Sequence, residues 1–193
     1  MGNMRDLGRD LGMEDALSTD GLTVRWDHGL AIASLRYFDP AGSFAAAVGE
    51  MLGGPLPEPL RAGRAGRAGS ELVLAWRSPT ETLLVTADAG WLAAVSAFAA
   101  GRSDGCLIDQ TGGILSLVLT GARVPDLLLR LGSTDAIPAL GEARTSRLAE
   151  LAVMSLCTRP GEILLLVERV YVRHLIGWIR ETVADFKETG APG

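Results

Sequence analysis

One stretch constrains the fold of this chain more than any other. Residues 109–131 read Asp-Gln-Thr-Gly-Gly, then Ile-Leu-Ser-Leu-Val-Leu-Thr, then Gly-Ala-Arg-Val-Pro-Asp-Leu-Leu-Leu-Arg-Leu. That order predicts a strand feeding a helix. Over 114–120 the side chains alternate, so Leu115, Leu117 and Leu119 share one pleated face while Ser116 and Thr120 share the other, the pattern of a half-buried strand. Gly121 can take backbone angles closed to other residues and ends the strand. Pro125 has a φ already near the helical value and no amide to leave unpaired, which suits the first helical turn. Val124, Leu127, Leu128 and Leu131 then fall on one apolar stripe. The helix is expected to lie on the leucine face of the strand.

Before this stretch the pattern predicts a mobile tail or docking arm over residues 1–20. Strands over 22–26 and 30–38 follow, joined by Asp27-His28-Gly29 as an opening hairpin, and then a helix with Ser43 as its N-cap and Phe44, Ala47, Val48, Met51 and Leu52 as its stripe. Pro55, Pro57 and Pro59 forbid regular structure. Residues 61–69, Arg-Ala-Gly repeated three times, predict a solvated flexible loop whose arginines could meet an acidic partner surface. Strands over 72–76 and 82–86 around Ser78-Pro79 predict a hairpin, Asp88 caps the next helix, and 106–109 is a short apolar strand.

After the organising stretch come a loop, a strand over 148–156, a turn at Arg159-Pro160-Gly161, a strand over 163–167 and a helix to about Lys187. Its expected buried stripe is Tyr171, Leu175, Trp178, Ile179, Thr182, Val183 and Phe186, with His174 at the margin. The fold class this gives is α+β. Two consecutive ferredoxin-like β-α-β-β-α units, residues 21–104 and 105–193, carry mainly antiparallel sheets with helices on one face, in one compact body.

Composition narrows the function. No apolar run reaches the roughly 20 residues of a membrane span. Eighteen basic against twenty-three acidic residues leave a net charge of -5, against a general nucleic-acid binder. The first 20 residues lack the apolar core of a secretory signal, so a cytoplasmic protein is expected. Cys106 and Cys157 both stand in or beside apolar strands and read as buried reduced thiols. Only two histidines occur, His28 in a turn and His174 on a helix, and neither stands where a nucleophile, an acid or a metal would use it. Glu162, Glu168 and Arg169 flank the last strand, where they could pair with each other or with a partner chain, and read first as solvated edge charges. No dinucleotide fingerprint and no P-loop is present.

The run Cys106-Leu-Ile-Asp109-Gln-Thr-Gly-Gly, Leu119-Thr-Gly-Ala-Arg, Asp126-Leu-Leu-Leu-Arg-Leu and Thr134-Asp135-Ala-Ile-Pro-Ala-Leu-Gly141-Glu-Ala, with the closing hairpin, resembles the folate-dependent aminomethyltransferase (glycine cleavage T protein) superfamily. More closely, with Leu74-Ala-Trp-Arg-Ser-Pro-Thr-Glu-Thr-Leu-Leu-Val, it is similar to the gamma subunits of heterotetrameric sarcosine oxidases. The resemblance spans residues 30–186. It implies a non-catalytic subunit beside larger alpha and beta subunits and a small delta subunit, in a complex that holds FAD, FMN and NAD and passes a one-carbon unit to tetrahydrofolate. No catalytic, cofactor or metal residue is then expected in this chain. In the aminomethyltransferases an Asn-Asp pair follows the helix. Asp135 falls on that aspartate and Thr134 on the asparagine, so Asp135 reads as a loop or capping residue, and as catalytic only if the chain is instead a free-standing folate-binding protein or one-carbon transferase. A self-associating scaffold is a third reading.

Overall fold

The structure, a computed structural model, describes residues 16–67 and 70–189. It is α+β, with two antiparallel sheets and, among the described residues, four α-helices. The chain divides into two compact units.

One unit holds residues 29–112 and 141–143. Its sheet runs in the order β4 (Ala62–Arg67), β5 (Ser70–Ser78), β6 (Glu81–Thr86), β3 (Ala31–Tyr37), β7 (Gly105–Asp109). Helices α1 (Ser43–Leu52) and α2 (Ala89–Ala99) cover one face, where Phe44, Val48, Leu52, Leu92 and Val95 meet Leu35, Leu72, Leu74 and Leu84 in one core. Without the outer strand β4, this is the order 4-1-3-2 of a ferredoxin-like β-α-β-β-α-β unit. The β5–β6 hairpin forms as expected, with Ser78 opposite Glu81 across a two-residue turn. Asp88 caps α2 by accepting from the Gly90 amide at 2.8 Å. Ser43 does not cap α1. Gly42 holds that position, and the Ser43 hydroxyl donates to Asp104 at 3.2 Å instead.

The other unit takes, among the described residues, 16–28, 113–140 and 144–189. Its sheet order is β1 (Ala16–Thr19), β2 (Leu22–Asp27), β8 (Ile114–Thr120), β11 (Glu162–Glu168), β10 (Leu151–Arg159), β9 (Glu142–Leu148). Helices α3 (Val124–Leu131) and α4 (Val172–Thr189) pack on it. The stripe Val124, Leu127, Leu128, Leu131 meets Leu115, Leu117 and Leu119 as expected.

Here the sequence reading needs correction. The second half, β-α-β-β-α, lacks the fourth strand that a ferredoxin-like sheet requires, and β2 supplies it by pairing with β8 from Thr23↔Thr120 to Asp27↔Ser116. The expected β2–β3 hairpin therefore does not form, and each unit draws residues from both sides of the boundary expected at 104/105. Burial decides the pairing. Leu22, Val24 and Trp26 are each under 5% exposed in this core, and three such side chains contribute roughly 5 kcal/mol. Local proximity across a turn has no comparable reward.

Four local corrections follow. Residues 16–19, expected in the arm, form β1 on β2, while residues 1–15 lie outside the described residues. Residues 62–67 of the triplet repeat are strand β4 rather than a loop. The expected strand over 148–156 is two strands, β9 and β10, turning at Ala149 and Glu150 with φ of 49° and 65°. β8 is buried on both faces, Ile114, Ser116 and Val118 as well as its leucines.

Candidate functional site

Where β3 ends and β7 begins, a cleft of about 450 Å³ opens, lined by Arg36, Phe38, Glu81, Arg102, Cys106 and the backbone around them. Its floor is an ion cluster. The Glu81 carboxylate, only 12% exposed, accepts from Ser34 Oγ at 2.5 Å and from Arg77 at 3.0 Å, and Arg36 lies 3.5 Å from its second oxygen. Glu81 stands opposite Arg36 on the β3–β6 ladder, so strand register places the pair. Beside it Tyr37 Oη and Thr82 Oγ1 share a buried hydrogen bond at 3.0 Å.

The second wall is Arg102. Its guanidinium donates to both Asp104 oxygens, at 2.9 and 2.8 Å, and lies 5.4 and 5.2 Å from the ring centres of Phe44 and Phe98. Those hydrogen bonds, with a further one from Ser43, hold the Asp104 carboxyl down at about 2 and push the Arg102 guanidinium up. Gly105 lets β7 start this close to α1, because a Cβ there would sit 2.3 Å from the Phe44 ring. Phe38, 82% exposed, stands at the rim, and Cys106 faces Arg36 across the β3–β7 ladder. Cations, an exposed ring and a thiol equip this cleft to bind. Among its lining residues no imidazole stands by the thiol to act as a base.

The residues singled out in the sequence are not brought together. Asp135 sits exposed on a 3-10 turn, Thr134–Ala136, and lines neither this cleft nor the groove along β4. It is not the cap. Ser133 accepts the Asp135 amide at 3.3 Å. Asp109 and Thr111 are structural: Asp109 accepts from the Thr111 amide at 2.8 Å, and Thr111 Oγ1 accepts from the Ile32 amide at 3.1 Å, tying the end of β7 to β3. His28 packs against Trp26 with ring centres 5.3 Å apart, and His174 is exposed beside Trp178 at 6.4 Å. Cys157 is buried, which pushes its thiol up, but Cys106 is exposed because β7 is an outer strand, contrary to expectation. β11 is an inner strand, so Glu162, Glu168 and Arg169 stand at its ends rather than along an edge, with Arg159 4.0 Å from Glu162. Among the described residues no cluster of His, Cys, Asp and Glu could hold a metal ion.

Trp178 on α4 (48%) and, in the turn before it, Tyr171 (43%) and Val170 (78%) are exposed, against the expected burial of Tyr171 and Trp178. The buried stripe is instead Val172, Leu175, Ile176, Ile179, Thr182, Val183 and Phe186. The 3-10 turn Arg169–Tyr171 precedes the α-helix, so Tyr171 stands outside the helical stripe.

The architecture has solved counterparts. A chain of heterotetrameric sarcosine oxidase from Corynebacterium sp. U-96, in complex with pyrrole 2-carboxylate, matches with a TM-score of 0.79 at 20% identity, over 100% of this chain and 98% of that one. This is the fold of a sarcosine oxidase chain. The aminomethyltransferase T of the glycine cleavage system from Bartonella henselae matches with a TM-score of 0.63 at 14% identity, over 82% of this chain and 45% of that one, so this chain spans under half of it. At these identities the likeness establishes the fold. The resemblance read from the order of sequence motifs is present in the backbone. No protein-family model and no curated protein matches the sequence. No helix among the described residues is long and apolar enough to cross a membrane.

Proposed function

We propose that this chain is the gamma-type subunit of a sarcosine oxidase-like complex, which oxidatively demethylates sarcosine or a related N-methyl amino acid and passes the one-carbon unit to tetrahydrofolate. The observation that carries the reading is the end-to-end match, at nearly equal length, to one chain of a heterotetrameric oxidase. In this reading FAD, FMN and NAD sit on larger alpha and beta neighbours, a small delta subunit completes the assembly, and this chain contributes surfaces. The α4 ridge supports it, since Tyr171, His174 and Trp178 share one exposed flank and aromatic side chains dominate interface hot spots. Purification of the assembly from its native cell tests it. The larger flavin-bearing chains should co-purify, and Tyr171→Ala with Trp178→Ala should weaken their retention tenfold or more without lowering the thermal midpoint of the isolated chain. Oxidation of sarcosine by the isolated chain would end the proposal. The folate-binding or one-carbon transferase reading draws on the aminomethyltransferase likeness; micromolar tetrahydrofolate binding abolished by Asp135→Ala would favour it.

A further inference from the structure

The cleft where β3 ends and β7 begins has no part in the subunit reading, yet its charges do not cancel. Three charged side chains line it: Arg36, Arg102 and Glu81. One oxygen of Glu81 is already met by Ser34 and Arg77, and the other lies 3.5 Å from the Arg36 guanidinium, longer than an ordinary hydrogen bond. Among the described residues the Arg36 guanidinium has no other polar partner, and its side chain stays half exposed. Arg102 uses Nε and Nη2 on Asp104, with Ser43 also within reach of Nη2, while Nη1 has no partner among the described residues. With every pair counted, Arg36, Arg77 and Arg102 stand against Glu81 and Asp104. One positive charge is left over, in a chain whose net charge is -5.

That surplus favours an occupant with a single negative charge. Size and lining narrow it further. A volume of about 450 Å³ is at the small end of ligand pockets. Beyond the ion cluster the cleft offers the exposed Phe38 ring at its rim, Cys106 and the backbone around Gly105. A ring in the ligand can lie against Phe38 while its carboxylate meets the planar fork of Arg36. We infer that this cleft binds a small aromatic monocarboxylate, held by Arg36 and seated against Phe38. Sarcosine is a zwitterion with no net charge and gains nothing from the surplus, so the inference stands without the subunit reading.

The test is an NMR titration of the full chain with benzoate. Amide signals of residues 36–38, 80–81 and 102–106 should shift, with a dissociation constant of about 1 mM or tighter that weakens as salt is added. Benzamide, which keeps the shape and loses the charge, should bind at least tenfold more weakly, and so should sarcosine. Arg36→Gln should weaken benzoate binding tenfold or more, Glu81 keeping Arg77 and Ser34 as partners. Phe38→Ala, at a side chain 82% exposed, should weaken it severalfold with the thermal midpoint unchanged. Equal binding of benzoate and benzamide, shifts confined to other parts of the chain, or no shift at about 10 mM benzoate overturns the inference. Binding by the free chain that disappears in the native complex overturns it in favour of a cleft covered by a neighbouring chain. Each of these results leaves co-purification of the larger chains, and with it the subunit reading, untouched.

Discussion

The strand exchange can be tested at a single methyl group. Gly121 ends β8 with a φ of 113°, and a Cβ built on it would lie 2.2 Å from the Gly21 carbonyl oxygen, 2.7 Å from its carbon and 3.1 Å from the Leu22 Cα. All three obstacles are backbone, so no side chain can swing away. Gly121→Ala therefore adds two terms: about 1–2 kcal/mol for an L-residue at positive φ, and about 1–3 kcal/mol for overpacking. The sum, roughly 3–4 kcal/mol, is a large share of the 5–15 kcal/mol that holds a typical domain, and for a chain of this size it lowers the thermal midpoint by roughly 10 °C. The control is Gly161→Ala, at a φ of 74° with nothing within 4 Å, which carries only the conformational term. Urea unfolding of both variants, with amide exchange read over residues 22–27, separates the two contributions. Gly121→Ala should cost about 2 kcal/mol more than the control and speed exchange in β2. Equal losses would refute the placement of β2 beside β8.

Two further outcomes follow from the cleft. Asp104 has its carboxyl held at about 2, below its ordinary 3.8; its contribution to stability is therefore present above pH 4 and lost as pH falls from 4 toward 2, and Arg102→Ala should return its NMR titration midpoint to near 4. A midpoint unmoved by that change would remove Arg102 as the cause. Glu81→Gln takes the shared counter-ion from Arg36 and Arg77, and because those guanidiniums keep 55% and 35% of their exposure the loss should be modest, about 1–2 kcal/mol in urea unfolding, with an unchanged midpoint as the refuting result.

Legibility tracked how local the determining forces were. The β8–α3 segment was readable because periodicity, Gly121 and Pro125 all point to one structure, and the β5–β6 hairpin because Ser78-Pro79 marks its turn. β4 was not readable. Its repeat of three matches neither the period of a strand nor that of a helix, and its stability comes from pairing with β5. The β9–β10 turn escaped because Ala149 and Glu150 take left-handed angles without glycine or asparagine, helped by Arg147, which donates to the Glu150 carbonyl at 2.6 Å. In the cleft, Arg36 and Glu81 carried a faint signal, each a charge at the end of an apolar strand run; only their opposition in register makes them a cluster. Tyr171 and Trp178 were misplaced because hydrophobicity was weighed over angle: at about 100° per residue Trp178 lies farther than Ile176 from the centre of the buried stripe, and Tyr171 precedes the helix in a 3-10 turn.

The exchange of strands also makes each sheet depend on both halves of the sequence. A sheet of order 4-1-3-2 is complete only when its fourth strand is in place, and in both units that strand comes from the other half of the sequence: β2 for the sheet built on β8, and β7, beyond residue 104, for the sheet built on β3. Each half therefore holds the strand that completes the other half's sheet, and the loss of either leaves an inner strand exposed as an edge. That dependence fixes the two sheets by topology. It leaves β4, β7 and the outward flank of α4 at the surface, carrying arginine, thiol and aromatic side chains on a supported framework, and rigid support of exposed side chains is what an interface requires.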